Sequence, residues 1–456
     1  MKPFAIDLDD RALSLARGGS VLSSSPAVVF DGSTAEVVGT GAWPALRSQP
    51  TATSSRHLES VLTQPQAPDR ALQLLQANLA LRLQAHRPEP PEPLWLAAPA
   101  VADPRGLGAV LGILRDLSLP VSRFIDSATA TVAALPNDRN AIVLELGLHR
   151  VAATSVDVGS GIARRRRSVS GHSGGLIELY QSLVECVSER MVRRMRFDPR
   201  QDAATEQQLF DLIPALVREG ASGVAVAALR RGSDTFEVEL SRDQLAEGAR
   251  ILNREILRLI HELRPVGMPV ALVMPTLLAN VPGLRDELEE FVGCDLITCP
   301  DGFAAAAISA ADPPETLPDA PVHLLRRAPL HELTGQTVSR ERLGGRKESG
   351  PTPTHVLLDG RALAIGAEPI VVGRSPGTER AVLLPDGLAG VSRRHCTLVR
   401  DGTELVLLDH STFGTFVNGE RVSERVRVYA GDRVKVGDPG VELALIAVGE
   451  PTAVVP

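Results

Sequence analysis

Between Gly373 and Gly419 the chain sets donors at one turn after another: Gly373-Arg374-Ser375, Ser392-Arg393-Arg394-His395, Ser411-Thr412-Phe413-Gly414-Thr415 and Val417-Asn418-Gly419. Hydroxyls, guanidinium groups and exposed backbone amides are what a dianionic phosphate needs. A phosphorylated side chain brings about −1.5 to −2 charges and three acceptor oxygens. Each charge-assisted hydrogen bond contributes roughly 1.5–3 kcal/mol net. Three or four of them, less ordering costs, reach the about −8 kcal/mol of micromolar binding. No carboxylate or cysteine nucleophile sits among these turns to act on the phosphate, so the pattern predicts recognition without chemistry.

Such turns need a rigid frame. From His355 to about Val448 short apolar runs (PIVVGR, HCTLVR, LVLLD, DRVKVG, VELALIAV) alternate closely with Gly, Asp, Pro and Asn. Short strands at regular spacing, with no helix-length periodic segment, predict an all-β sandwich over 354–448. Residues 1–312 instead alternate strand-like runs (AIDL, LWLAAPA, AIVLEL, VALVMP) with helix-like stretches, which predicts an α/β region. Between them, 313–353 loses periodicity. Pro313, Pro314, Pro318, Pro321, Pro329, Pro351 and Pro353 interrupt it and arginines make it basic, so a flexible linker is expected. A frayed tail is expected over 449–456.

Composition narrows the function. The 456 residues are 44% hydrophobic and 23% charged with a net charge of −7, which gives no general reason to bind nucleic acid. Lys2, Lys347 and Lys435 are the only lysines, an arginine- and alanine-rich style that reads as bacterial. Cys186, Cys294, Cys299 and Cys396 form no metal spacing, and reduced thiols are expected. Acids interrupt the N-terminal apolar run and no uncharged run spans a bilayer, so a cytoplasmic location is expected, with no membrane partner. Arg164 to Arg167 lie in a strand-like stretch whose side chains alternate faces, so a surface hairpin is expected there rather than a basic stripe.

The three motifs GR, SRRH and STxGTFVNG, in that order, resemble the forkhead-associated (FHA) domain. The resemblance implies an eleven-stranded sandwich whose loops at one end hold phosphothreonine. It implies that Arg374, Ser392, Arg393 and Thr412 contact the phosphopeptide, that His395 braces the loop bearing Ser392, and that Gly373, Gly414 and Asn418 shape neighbouring turns. One position departs. Phe413 stands where the family usually has Asn, and phenylalanine cannot hold the peptide backbone.

Residues 1–312 resemble the nucleotide-binding domain of Hsp70-type chaperones in the actin-like superfamily. The stretches LWLAAPAVADPRGLGAVLGILRDLSLPVSRFIDSATATVAAL, SGHSGGLIELYQSLV, PVALVMPTLLANVPGLRDELEEF and PDGFAAAAISAA carry it. The resemblance implies a two-lobed α/β, ribonuclease H-like fold. The family's phosphate turns are absent: Asp7-Leu8-Asp9-Asp10-Arg11 replaces Asp-Leu-Gly-Thr-Thr, and Glu145-Leu146-Gly147-Leu148-His149-Arg150 replaces a glycine run. Carboxylates there repel a triphosphate. Asp7, Glu145, Gly174 and Gly175 remain as a vestigial nucleotide site, so a pseudo-ATPase is expected, with no catalytic residue, metal or cofactor.

The function expected from these readings is a non-enzymatic adaptor in bacterial Ser/Thr kinase signalling. Its sandwich reads a threonine-phosphorylated partner, the kinase or its substrate, and its first region supplies a docking surface. The alternative is an ATP–magnesium-dependent switch targeted by the sandwich. Thr334 and Thr337, in the expected linker, are weighed as an intramolecular ligand and taken as ordinary linker residues.

Overall fold

The computed structural model describes all residues except 1, 32–35, 65, 89–91, 120, 137–138, 172–173, 221–223, 265–267, 292, 313–321, 344–350, 359–360, 378–379, 386, 389, 419, 438–439 and 449–456. The expected tail therefore lies outside the described residues. The chain divides into two units, one of residues 1–288 and 295–341, the other of 289–294 and 342–456.

The first unit is built on two mixed sheets of the same plan. In one, Phe4–Asp7, Leu13–Arg17 and Ser20–Ser25 form an antiparallel meander. Leu94–Ala98 and then Val121–Asp126 add in parallel on the other side of Phe4–Asp7. In the other, Ala141–Leu146, Val151–Gly159 and Ile162–Ser170 form the meander, and Ala271–Pro275 and Asp295–Cys299 add in parallel beside Ala141–Leu146. Gly18 and Gly19 turn the first meander with φ of 58° and 87°, the left-handed pair that a two-residue hairpin requires.

Two short alanine-rich helices, Ser127–Ala133 and Phe303–Ala310, are buried between the sheets. Ala128, Val132 and Ala133 pack into the core of the second sheet and Ala130 into that of the first. Ala304, Ala305 and Ile308 face the first sheet, while Phe303 and Ala307 face the second. Side chains this small let a helix touch a sheet on each side at native packing density. The sequences SATATVA and FAAAAISA are what that position demands.

The linker expected over 313–353 is corrected for its described middle part. Leu324–Leu325 extends the first sheet beside Val121–Asp126, and Arg327–Pro329 pairs with Ile162–Ser170. Ser339–Arg342 joins the edge beside Asp295–Cys299. Prolines are tolerated because these are edge strands, where a missing N–H faces no partner. Thr334 and Thr337 belong to the same packed stretch, with Leu333 and Val338 against the second core and Gln336 donating to the Gly19 carbonyl. The Arg164–Arg167 hairpin is present as expected, and ion pairs tie Arg165 to Asp126, Arg166 to Asp157 and Arg167 to Glu262.

The second unit is a β-sandwich with eleven strands among the described residues. Arg361–Ala364, His355–Leu358, Val441–Ile446, Arg433–Val436, Thr415–Val417 and Glu420–Arg421 make one sheet in that order. Ala381–Leu383, Ile370–Gly373, Cys396–Asp401, Glu404–Asp409 and Arg425–Val428 make the other. Alternate residues such as Val356, Ile370, Val372, Leu398, Leu407, Val434 and Leu445 fill the space between them. Ile370–Gly373, Cys396–Asp401 and Glu404–Asp409 run antiparallel in sequence. The end of the first, the start of the second and the end of the third therefore lie at one edge of the sandwich, where their loops meet.

Candidate functional site

Those three loops carry the donors. The Arg374 amide donates to the Ser392 carbonyl at 3.3 Å and the Ser375 amide to the Arg393 carbonyl at 3.1 Å. The Thr412 amide donates to Ser392 Oγ at 3.4 Å. Arg374, Ser392, Arg393 and Thr412 thus share one small area of surface. Gly373 makes the approach possible, since a Cβ there would lie 2.1 Å from the Arg393 carbonyl oxygen. The Arg374 and Arg393 side chains are exposed and form no ion pair among the described residues. Two unpaired guanidinium groups, a hydroxyl and a turn of amides are thus carried by adjoining loops, the donor set that a cup for an anion would use.

His395 holds the cup from beneath. Fully buried, it accepts from the Ser392 amide through Nδ1 at 3.0 Å and donates from Nε2 to the Gly414 carbonyl at 3.1 Å. Accepting on Nδ1 makes it the neutral tautomer, and burial pushes its pKa below the usual imidazole value. Cys396, next in sequence, is no nucleophile, because burial pushes its thiol up to about 12.

One carboxylate, Asp409, stands just before the third turn and serves it structurally. Asp409 accepts from the Ser411 amide at 3.0 Å and from Thr415 Oγ1 at 2.6 Å. Burial alone would raise its pKa, but the hydrogen bonds from Thr415 and Ser411 hold it below the usual range. Its oxygens are engaged in shaping the Ser411–Gly414 turn rather than offered to a ligand. The run Asp409-His410-Ser411 was the available signal, an acid poised to cap its own turn two residues on. Gly414 completes that turn at φ +96° and its amide donates to Ser411 Oγ. Asn418, at φ 50°, donates to buried Asp432 at 2.9 Å and accepts from the Arg433 amide at 2.8 Å, fastening the next turn. Phe413 is 61% exposed at the tip of the Ser411–Gly414 turn.

The residues expected to form a vestigial nucleotide site are only partly together. Asp7 and Glu145 line a cavity of about 120 Å³ in the first unit, with Asp9, Asp10, Arg11, Glu59, Gly147, Arg150, Met274 and Asp301. Gly174 and Gly175 lie outside it, at the start of the helix Leu176–Met195, where Gly175 packs on the His149 backbone. Arg11 crosses the cavity with its side chain 4% exposed. It meets Asp9 at 3.2 Å and Asp301 at 2.8 Å, and donates to the Leu146 carbonyl of the second sheet at 3.0 Å. Asp10 accepts the Leu148 amide at 2.8 Å, a donor that an anionic ligand would otherwise use. Burial pushes Asp7 and Glu145 up to about 8 and Asp10 up to about 7. Nearby, Glu178 links His149 and Arg56, while Glu59 links Arg56 and Arg150.

With this geometry in view, comparison with known proteins bears on the second unit. Residues 370–437 match the family model described as the FHA domain, a span that includes every residue of the cup. The FHA domain-containing protein FhaB of Mycobacterium tuberculosis, in strains CDC 1551 / Oshkosh and ATCC 25618 / H37Rv, is 32% identical over 91 residues. The aligned stretch is 20% of this chain and 56% of FhaB, so the chain spans about half the length of the curated relatives it matches. Residues 370–437 are an FHA domain. No helix among the described residues is long and apolar enough to cross a membrane.

Proposed function

We propose that this protein is a phosphothreonine-dependent adaptor in bacterial Ser/Thr kinase signalling, acting in the cytoplasm without catalysis of its own. The observation that carries this reading is the convergence of Arg374, Ser392, Arg393 and Thr412, with neither guanidinium paired among the described residues. A phosphorylated threonine of a kinase or its substrate is the ligand; Arg374 and Arg393 meet its charge and Ser392 and the Thr412 turn its remaining oxygens.

The first unit is taken as an actin-like, Hsp70-related fold that serves as a docking surface. The repeated strand order of its two sheets and the two helices shared between them support this assignment. Its cleft is read as a pseudo-nucleotide site. A cavity of about 120 Å³ is small beside the about 300–1,000 Å³ of ligand pockets. Arg11 and the Asp10 carboxylate occupy the groups that would meet a phosphate and its cation.

The test is capture of partners from host lysate on the full chain, with and without phosphatase treatment of the lysate. Partners lost on phosphatase treatment and on Arg374→Ala support the reading; partners indifferent to both contradict it. Calorimetry with ATP and magnesium addresses the switch alternative, for which sub-millimolar binding would be required.

A further inference from the structure

Beside the phosphate cup, the outer face of the five-stranded sheet holds a second depression. Val371, Thr397 and Leu408 are direct cross-strand neighbours on three adjacent strands and form its floor. Their side chains point away from the core filled by Ile370, Val372, Cys396, Leu398 and Leu407. Pro369, Glu368, Arg380, Arg394 and His410 complete the lining of a cavity of about 500 Å³. The rim therefore carries two guanidinium groups and an imidazole against one carboxylate.

Arg380 is engaged with the Ala364 carbonyl, while His410 and Arg394 keep donor positions open. Thr397 Oγ1, itself buried, bonds His410 Nε2 at 3.0 Å and fixes the ring, whose Nδ1 has no partner among the described residues. The Arg394 guanidinium is exposed and without an ion pair among the described residues. Arg394 directly follows the cup residue Arg393, and His410 precedes Ser411 and Thr412. A peptide seated in the cup and extending at about 3.3 Å per residue reaches this rim within a few residues.

We propose that this depression is a second anion subsite for the same phosphopeptide, taking an acidic group a few residues from the phosphothreonine. Resting on the phosphothreonine reading, it makes the preferred partner sequence acidic on one flank. A carboxylate and a second phosphoryl group share the required chemistry, because both present planar or tetrahedral oxygens to Arg394 and His410.

The experiment is fluorescence anisotropy of the full chain with labelled phosphothreonine peptides in which Asp, Glu or phosphoserine replaces Ala at each flanking position in turn. The expected result is one flanking window where an acidic residue tightens binding about two- to fivefold. Arg394→Ala and His410→Gln should abolish that gain while leaving the all-Ala peptide's affinity unchanged. If phosphoserine alone gives the gain, the subsite takes a phosphoryl group; if Asp and Glu give it too, carboxylates suffice. Phosphopeptide binding with no acidic preference at any position overturns the subsite alone, as does a uniform loss across all peptides in Arg394→Ala. Binding of none of the phosphopeptides overturns this subsite and the phosphothreonine reading together.

Discussion

Replacing Arg11 by methionine tests whether the cleft of the first unit is held by its own charges. The guanidinium is buried, and removing one partner of a buried pair typically costs about 3–5 kcal/mol. Asp301 is 45% exposed, so its share is screened by solvent and the lower end applies. What is lost is the Asp9 pair and the hydrogen bond to the Leu146 carbonyl, about 3 kcal/mol together. In a unit of this size that corresponds to a fall of about 5 °C in its thermal midpoint. The assay is scanning calorimetry of the full chain, followed at several pH values. Asp7, Asp10 and Glu145 have folded-state pKa values raised to about 8, 7 and 8, so the folded protein binds more protons than the unfolded chain up to that range. Their contribution is present at low pH and is lost as pH rises through about 7 to 8. The wild-type midpoint should therefore fall between pH 6.5 and 8.5, and the Arg11→Met deficit should be larger at pH 8.5. An unchanged midpoint, or a deficit that grows on acidification, would refute the reasoning.

The remaining predictions concern the sandwich. Ser392→Ala should weaken a phosphothreonine peptide about tenfold by calorimetry while leaving the thermal midpoint within about a degree. Gly373→Ala should both destabilise the unit and weaken binding, because its Cβ meets the Arg393 carbonyl oxygen; proteolysis and titration read the two effects separately. Asn418→Ala leaves buried Asp432 short of a donor and should cost about 2–3 kcal/mol in urea unfolding. Phe413→Asn should tighten peptide binding several-fold, since an amide there can reach the peptide backbone; unchanged affinity would show that this position lies off the peptide's path.

How much of this was visible in the chain depends on the range over which each feature is encoded. The cup residues were legible because glycines, Ser-Thr turns and SRRH are local signals. Asp409 was not singled out, although a carboxylate two residues before a Ser-Thr turn is itself local. The edge strands at 324–342 were hidden because strands of two to four residues, among prolines and arginines, borrow their order from sheets formed far earlier in the chain. That Asp7-Leu8-Asp9-Asp10-Arg11 is no glycine-rich phosphate turn was plain, but the guanidinium crossing the cavity was not. That bridge needs Leu146 and Asp301 beside Arg11, and sequence separations of this length leave no periodic trace. The alanine-rich stretches at 127–133 and 303–310 carry little polar contrast and so no periodic signal of which face is buried, and their place between two sheets came from the topology.

The most direct measurement is a titration of the full chain with one peptide in three forms, phosphothreonine, phosphoserine and threonine, with the phosphothreonine form repeated against the Arg374→Ala, Arg393→Ala double variant. Micromolar affinity confined to the phosphothreonine form, and lost in the double variant, is the expected result. Equal binding of threonine and phosphothreonine forms, or full affinity in the double variant, would contradict the phosphate cup.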